Sequence, residues 1–330
     1  MKIKYTFWLT VILLTVCLPC KVPSQQAFPG ARTVMDAHNC YPYNGQWNDR
    51  IDRALSAGIP LAIEQDLAWH TDSKTHRSWS VVTHGTYTNG SEPEMEHYFF
   101  DKVRPIVEKA LREGDRSQWP LITLNLDFKD SVPEHFAAVL ALLRQHEDWI
   151  TSSVKTARID NLHSLDIKPI LVLTAGDDAQ QAVFYDQLRL GEKVLLFGSI
   201  QTEGKDPSAA PEVIGAEKAN NFRRWWNNPW DVVEAGGPAN AGAWTPEKIT
   251  RLRALVDRAH ANKLWIRFYT LDGATEQEQK DNGWFRSYSF GSIDQARIRW
   301  QAAIAAHVDY LASDQYELLG KEVHQAVKIR

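Results

Sequence analysis

The chain has few cysteines, no long hydrophobic run in its body and no excess of positive charge. Three cysteines in 330 residues exclude a scaffold held by disulfides, and no paired-cysteine motif for zinc is present. A glycine-rich phosphate loop and a Gly-x-Ser-x-Gly nucleophile elbow are also missing from the sequence. Because acidic residues outnumber basic ones, and more so once a leader is removed, we predict no nucleic-acid partner.

The amino terminus has the pattern of a secretory signal peptide. Two lysines precede an apolar run at residues 5–18, which is too short to span a bilayer comfortably. We predict cleavage after Ser24, so that residues 1–24 are a leader and residues 25–330 form one domain that is secreted or periplasmic. Cleavage there removes three lysines and no acids, which takes the net charge from −4 to −7 and leaves Cys40 as the single thiol.

Strand-like and helix-like segments alternate through the rest of the chain. Several strands are continuous apolar runs, which is typical of strands buried on both faces of a parallel sheet. Eight strands separated by helices predict an α/β fold of the (β/α)₈ TIM-barrel type, with a doubly wound sheet as the alternative. The eight lie at 33–37, 60–67, 119–126, 168–174, 193–197, 222–226, 264–270 and 308–312.

Two carboxylates stand close together at the end of the second strand. Glu64 and Asp66 are at positions i and i+2, so both side chains face the same side of the sheet. Two like charges at this spacing need a cation, a shared proton or exposure to water. The pair therefore indicates a metal site, unless it is an exposed strand end.

Polar residues follow three other strand-like segments in the first 130 residues. His38 and Asn39 follow the first strand, His84 follows a short strand at 79–83, and Asp127 and Lys129 follow the strand at 119–126. In a barrel the carboxyl ends of the strands converge on one mouth. We therefore expect these side chains to meet the two acids of the second strand there.

The order of these polar residues resembles that of the barrel phosphodiesterases, which include phosphatidylinositol-specific phospholipase C and glycerophosphodiester phosphodiesterase. His38 and Asn39 are similar to a eukaryotic phospholipase C motif in which the histidine is catalytic and the asparagine binds the metal. In the same comparison Glu64 and Asp66 match the metal-binding Glu-x-Asp, and His84 matches the second catalytic histidine.

The fourth segment resembles other branches of the same superfamily. Asp127 and Lys129 are closer to the acid-x-Lys motif of glycerophosphodiesterases and of sphingomyelinase D. The chain thus mixes branch signatures. The resemblance implies a phospholipase C-like barrel and a secreted, metal-dependent phosphodiesterase, that is, a phosphoric diester hydrolase of lipid metabolism.

The candidate metal ligands all offer hard oxygen atoms, which suit one divalent cation of the calcium or magnesium type. Four protein oxygens favour Ca²⁺, because Mg²⁺ generally keeps more of its water ligands. The four predicted ligands are Asn39, Glu64, Asp66 and Asp127.

The remaining candidate residues have predicted roles in catalysis and substrate binding. His38 is the expected base, His84 the expected acid, and Lys129 the second positive charge on the substrate phosphate. Arg267 is expected either to reach the phosphate or to pair with an interior acid. Trp226 is a candidate wall for an apolar or sugar-like substrate group, although tryptophan clusters more often belong to the core.

The expected substrate is a glycerophosphodiester or a phospholipid headgroup, bound by a monomer with at most transient membrane contact. Two alternatives stay open. One is a secreted glycoside hydrolase, which needs two opposed carboxylates and has no use for the histidines. The other is a catalytically silent binding protein on the same scaffold.

Overall fold

A computed structural model of the protein describes residues 27–43, 45–85, 87–202 and 205–329. The predicted leader at 1–24 and its cleavage point lie outside the described residues. Within these ranges no helix is long and apolar enough to cross a membrane. Cys40 is buried as a free thiol.

Most of the predicted apolar runs form strands. The run predicted at 193–197 divides, because β7 pairs antiparallel with β5 whereas β8 joins the main sheet. The strands are β1 (Val34–Ala37), β2 (Leu61–Thr71), β3 (Ser78–Val82), β4 (Ile122–Phe128), β5 (Ser153–Val154), β6 (Ile170–Thr174), β7 (Lys193–Val194), β8 (Phe197–Ser199), β9 (Arg223–Pro229), β10 (Trp265–Tyr269) and β11 (Tyr310–Ser313).

Eight parallel strands close into a barrel, as the sequence predicts. Around the barrel they follow the order β1, β2, β4, β6, β8, β9, β10 and β11, and β1 pairs with both β2 and β11. Strand β6 is buried at every position, because side chains on one face fill the barrel and those on the other face pack under helices. Closure excludes the doubly wound alternative, whose sheet is open.

Helices alternate with the strands, and the longer ones are amphipathic. In α6 the buried residues recur at i, i+3, i+4 and i+7, from Leu252 to Ala259, which is the spacing of one helix face. The helices are α1 (Arg50–Ser56), α2 (Asp101–Glu113), α3 (Pro133–Gln145), α4 (Asp178–Gln181), α5 (Pro211–Ile214), α6 (Pro246–Ala261), α7 (Glu276–Asn282), α8 (Ile293–Ala305) and α9 (Tyr316–Ile329). Short π-helical turns at Glu96–Phe100 and Ala182–Asp186 adjoin α2 and α4.

Strand β3 differs from its predicted arrangement. The sequence suggests that it delivers His84 as a parallel strand would, but β3 pairs antiparallel with residues 67–71 of β2. This is possible because β2 has 11 residues, about twice the usual strand length, and continues beyond its pairing with β1 and β4. The chain then returns to the barrel mouth, where the backbone N–H of Thr83 donates to the carbonyl oxygen of Asp66.

Candidate active site

The carboxyl ends of the barrel strands surround a cavity of about 170 Å³. This is the end at which (β/α)₈ barrels hold their active sites. Eight of the nine predicted site residues line the cavity, together with three residues that sequence reasoning missed. The eight are His38, Asn39, Glu64, Asp66, His84, Asp127, Lys129 and Arg267, and the three are Asn227, Tyr269 and Tyr288.

Three carboxylates converge in this cavity. Strand alternation places Glu64 and Asp66 on the inner face of β2, and Asp127 is the register partner of Asp66 on β4. One oxygen from each carboxylate lies within 4.8 Å of the other two. Such a set of hard oxygen donors suits a divalent cation of the calcium or magnesium type.

The surroundings of two of these carboxylates shift their pKa values in opposite directions. Burial opposes ionisation of Glu64, but Arg267 and His38 outweigh it and hold the pKa of Glu64 below its usual value. Burial raises the pKa of Asp66 to about 6, because the opposing hydrogen bond from His84 does not offset it fully. Asp66 is therefore harder to ionise than Glu64, and a nearby cation would favour its ionised form.

Lys129 links two of the carboxylates. Its Nζ lies 2.9 Å from Oδ2 of Asp66 and 2.7 Å from Oδ2 of Asp127. Burial opposes its charge, but the two carboxylates outweigh this effect and raise the pKa of Lys129 above its usual value. Lys129 therefore stays protonated and brings a fixed positive charge to the cavity.

Asn39 lies beside the carboxylates but is held by other contacts. Its backbone adopts a left-handed conformation, with φ of 51°, which asparagine tolerates better than most residues. Its Oδ1 accepts a hydrogen bond of 2.6 Å from the Tyr41 hydroxyl, and its Nδ2 donates to Asp314. Its backbone N–H donates to Glu64. The predicted fourth ligand thus belongs to the frame around the site, and three carboxylates form the candidate cation cluster.

His38 lies between two carboxylates. Its Nδ1 donates to Oδ1 of Asp314 over 3.0 Å, and its Nε2 is 3.5 Å from Oε2 of Glu64. Burial opposes protonation, but Glu64 and Asp314 outweigh it and raise the pKa of His38 to about 9. Because Glu64 is also a candidate cation ligand, any charge that neutralises Glu64 lowers the pKa of His38 and favours release of its proton.

Asp314 is a site residue that sequence reasoning missed. It follows β11 and accepts hydrogen bonds from His38 and Asn39 on one oxygen and from Arg50 on the other. Asp314 is fully buried, so these contacts fix the orientation of the His38 ring. The available signal was an acid at the carboxyl end of the last barrel strand, the same signal that identified Asp127.

His84 reaches the carboxylates from the other side. Its Nδ1 is 2.6 Å from Oδ2 of Asp66 and 3.2 Å from the Tyr41 hydroxyl, and its ring stacks on that of Tyr41. Because Nδ1 is held by Asp66, proton exchange with a substrate falls to Nε2. His38 contacts Glu64 and His84 contacts Asp66, so the two histidines flank the carboxylate pair of β2.

Arg267 forms a buried ion pair, which is the second of its two predicted roles. Its Nε donates to Oδ2 of Asp36 over 2.5 Å, and Nη2 is 3.3 Å from Oε1 of Glu64. Its Nη1 donates to Oδ1 of Asn227. Arg267 therefore anchors Glu64 from inside the barrel, and the charge that faces a substrate most directly belongs to Lys129.

Trp226 does not line the cavity, and its predicted role in substrate binding is wrong. Side chains alternate along a strand, so the neighbour of the cavity-lining Asn227 points the other way. The Trp226 ring is fully buried against Gly215, where an added Cβ would lie 2.6 Å from it. Trp226 belongs to the core between the barrel and its helices.

Comparisons with family models and with curated proteins found no match for the chain. Solved structures do match it. A Plasmodium falciparum HPPK-DHPS with pteroate is 7% identical with a TM-score of 0.45, and the alignment covers 91% of this chain and 49% of that one. The wild-type protein with pterin and p-hydroxybenzoate is 8% identical with a TM-score of 0.44, and the alignment covers 91% of this chain and 49% of that one. The 7,8-dihydropteroate synthase of Vibrio fischeri is 11% identical with a TM-score of 0.36, and the alignment covers 90% of this chain and 93% of that one.

The predicted family is corrected. No family model or curated protein supports the phospholipase C and glycerophosphodiesterase superfamily, the phosphoric diester hydrolase activity or the link to lipid metabolism, and the matching solved structures are named as dihydropteroate synthases. The glycoside hydrolase and silent binding-protein alternatives gain no support. Polar residues at strand ends do not identify a family, because barrels of unrelated activity all have their sites there. At 7% to 11% identity the likeness concerns the fold, and the chain takes no ligand or activity from it.

Proposed function

We propose that the chain is an enzyme that holds one divalent cation and transfers protons on a small substrate with an oxyanion. The observation that carries the proposal is the convergence of Glu64, Asp66 and Asp127 within 4.8 Å of one another. Lys129 and two carboxylate-bound histidines line the same cavity. A lone acidic cluster is common on protein surfaces, whereas one enclosed with acid–base groups at a barrel mouth is typical of active sites.

The three carboxylates are suitable ligands for Ca²⁺ or Mg²⁺. The preference for Ca²⁺ depended on four protein oxygens, and the oxygen of Asn39 is engaged by Tyr41. Three carboxylates accommodate either ion, with water or substrate completing the coordination. A bound cation supplies positive charge that a substrate oxyanion requires.

The size and charge of the cavity limit the substrate. A volume of about 170 Å³ is below the roughly 300–1,000 Å³ typical of sites for drug-sized ligands, so the substrate is small or inserts only its polar end. Lys129 offers its ammonium group to an oxyanion. Tyr269 and Tyr288 pack near the ring of His38, with centroids 5.9 and 5.3 Å away, and close that side of the cavity.

The two histidines provide an acid and a base on opposite sides of the carboxylates. Each has Nδ1 on a buried carboxylate, which fixes the ring and leaves Nε2 for proton transfer. In the proposed reaction the neutral form of His38, which is deeper, removes a proton from the substrate and His84 returns one. Asp314 and Asp66 keep the rings in position.

We also propose that the chain is exported and acts as a monomer without a nucleic-acid partner. The leader-like sequence at residues 1–24 supports export, and the net negative charge supports the lack of a nucleic-acid partner. Mass spectrometry of protein recovered from an exporting host tests export. We expect the mature chain to begin near Gln25, and an intact amino terminus would contradict export.

Calorimetric titration of the purified chain with CaCl₂ and MgCl₂ tests the cation site directly. We expect one site in the native sequence and at least a tenfold weaker site in Asp127→Asn, because the substitution removes one ligand charge from the cluster. The matched control is Asp160→Asn, an exposed carboxylate with a surface partner, Arg158. The proposal is wrong if the native chain binds neither ion, or if the two variants bind equally well.

A further inference from the structure

A second cavity lies at the opposite end of the barrel. Its volume is about 530 Å³, and its lining includes Trp265, the first residue of β10, and Arg224 near the start of β9. The candidate active site lies at the carboxyl ends of the same strands. The two cavities share no lining residue and lie at opposite ends of the barrel.

Arg224 in this cavity has no carboxylate partner among the described residues. The residue is only 7% exposed, and its guanidinium donates to the carbonyl oxygen of His163 and to Oδ1 of Asn221. Its Nε is buried without a hydrogen-bond partner in this part of the chain. Burial lowers the pKa of Arg224 to about 10, and the opposing effect of Tyr185 offsets this only in part.

The neighbouring arginine, Arg223, is paired with a carboxylate. Arg223 is equally buried, but its guanidinium contacts the carboxylate of Asp178 and donates to Gln181. A buried charge is costly unless it is paired, and of these adjacent arginines only Arg223 has a carboxylate partner in the described chain. An anion that enters the cavity would supply the missing partner of Arg224.

The rest of the lining combines positive charge with apolar walls. Lys263 is exposed at the cavity, and His260 is held by Asp309 through Nε2. Among the described residues that line the cavity there is no aspartate or glutamate. The apolar walls come from Phe28, Leu162, Leu165, Ile167 and Trp265.

We infer that this cavity is a binding site for a small amphipathic organic anion. Its carboxylate or sulfonate pairs with Arg224 and Lys263, and its apolar body packs against Leu165 and Trp265. The volume lies within the range of sites that enclose small molecules. Hydrogen bonds between charged partners are about twice as strong as neutral ones, so the charged head decides selectivity.

Calorimetric titration of the full chain with octanoate and with 1-octanol tests this inference. The two probes share an alkyl chain and differ in charge. We expect octanoate to bind at least tenfold more tightly than 1-octanol, because one or two charge-assisted hydrogen bonds to its carboxylate strengthen binding by about that factor or more. Arg224→Met, which keeps the side-chain bulk, should reduce octanoate binding to the level of 1-octanol.

Three further variants distinguish binding in this cavity from binding elsewhere on the chain. Leu165→Trp fills the cavity and should weaken binding of both probes, whereas Lys109→Ala, an exposed lysine on α2, should change neither. Asp127→Asn should leave octanoate binding intact, because it alters the other end of the barrel. Near-ultraviolet circular dichroism verifies that each variant is folded. Absence of octanoate binding, equal binding of the two probes, or unchanged binding in folded Arg224→Met or Leu165→Trp would overturn the inference.

Discussion

Asp66 and Asp127 are register partners on adjacent parallel strands, and Oδ2 of each contacts the same ammonium group, Nζ of Lys129. Like charges that face each other on neighbouring strands destabilise a sheet unless a cation lies between them. In the described structure Lys129 has this role. A divalent cation bound to the same carboxylates would also reduce their repulsion. The contributions of the Lys129 ammonium group and of a divalent cation to stability can therefore be measured separately.

The first prediction concerns the loss of Lys129. Lys129→Met should lower the free energy of unfolding by about 1–3 kcal/mol in EDTA, because the buried carboxylate of Asp66 and the half-exposed carboxylate of Asp127 lose their charged partner. Added Ca²⁺ should recover part of this loss by binding the same carboxylates. Thermal unfolding with and without the ion measures both effects.

The matched control is Lys102→Met. Lys102 contacts Asp52 at 2.7 Å, a comparable distance, but both side chains are exposed. Such pairs contribute about 0–1 kcal/mol, and Ca²⁺ should not alter the effect. Equal losses in the two variants, or a loss in Lys129→Met that Ca²⁺ leaves unchanged, would contradict the proposed link between Lys129 and the cation cluster.

The second prediction concerns the proton on His38. In the metal-free chain its pKa is raised to about 9, and the charge of Glu64 is the largest single cause of the increase, ahead of the hydrogen bond and the charge of Asp314. Glu64→Gln should therefore lower the pKa of His38 towards its ordinary value of about 6.5. Titration of the imidazole resonances by NMR checks this. An unchanged pKa in the variant would show that Glu64 does not hold the proton.

The same shift has a consequence for stability. A histidine whose pKa is higher in the folded than in the unfolded chain binds its proton more tightly when folded. Its contribution is fully present below about pH 6.5 and is lost as the pH rises to about 9. Urea unfolding of the metal-free chain should show a steeper decline over this interval in the native sequence than in Glu64→Gln. Parallel curves would contradict the assignment.

The third prediction tests the fold away from the site. The buried Glu234 accepts hydrogen bonds from Arg299 at 2.8 and 3.0 Å, from Lys248 at 2.6 Å and from Trp230 at 2.9 Å. Glu234→Gln should cost about 3–5 kcal/mol of unfolding free energy, because it leaves Arg299 buried without a counter-charge. Urea denaturation monitored by fluorescence gives the value.

Glu317→Gln is its control on the surface. Glu317 accepts two hydrogen bonds from Arg53 at 2.7 and 2.9 Å, so the geometry is alike, but both partners are partly exposed. A change of at most about 1 kcal/mol is expected. A similar small change in Glu234→Gln would show that the buried network contributes little.

Local patterns in the sequence were sufficient to predict the barrel and most of the residues that line the cavity at its mouth. Apolar runs identify strands that are buried on both faces, and their alternation with helices leads to the (β/α)₈ architecture. The spacing of Glu64 and Asp66 at i and i+2 fixes their common face, because the side-chain period of a strand is two. These inferences need only neighbouring residues.

Features that depend on tertiary contacts could not be predicted in this way. The pairing of His38 with Asp314 joins residues 276 positions apart, and closure of the barrel is what brings their strands together. Tyr288 reaches the cavity from a short 3₁₀ turn without an apolar pattern. Trp226 was misplaced because the phase of β9, which decides which of its residues face inward, is set by packing.

The reaction itself was the least accessible feature. Residues at the ends of barrel strands indicate where a site lies, but they serve many chemistries. The order His38, Glu64, Asp66 and His84 was read as a phosphodiesterase signature, and the similar solved structures are dihydropteroate synthases. What the geometry shows is coarser, namely three carboxylates, a fixed ammonium group and two histidines around a small cavity.

Anomalous diffraction from crystals soaked with Mn²⁺ tests the central proposal most directly, because Mn²⁺ binds oxygen ligands as Ca²⁺ and Mg²⁺ do. We predict one strong peak at about 2.0–2.6 Å from a carboxylate oxygen of each of Glu64, Asp66 and Asp127, which are the distances of such metal–oxygen bonds. Crystals of Asp127→Asn should lose it. A fully occupied peak elsewhere, or no peak at these three carboxylates in the native chain, would contradict the proposed cation site.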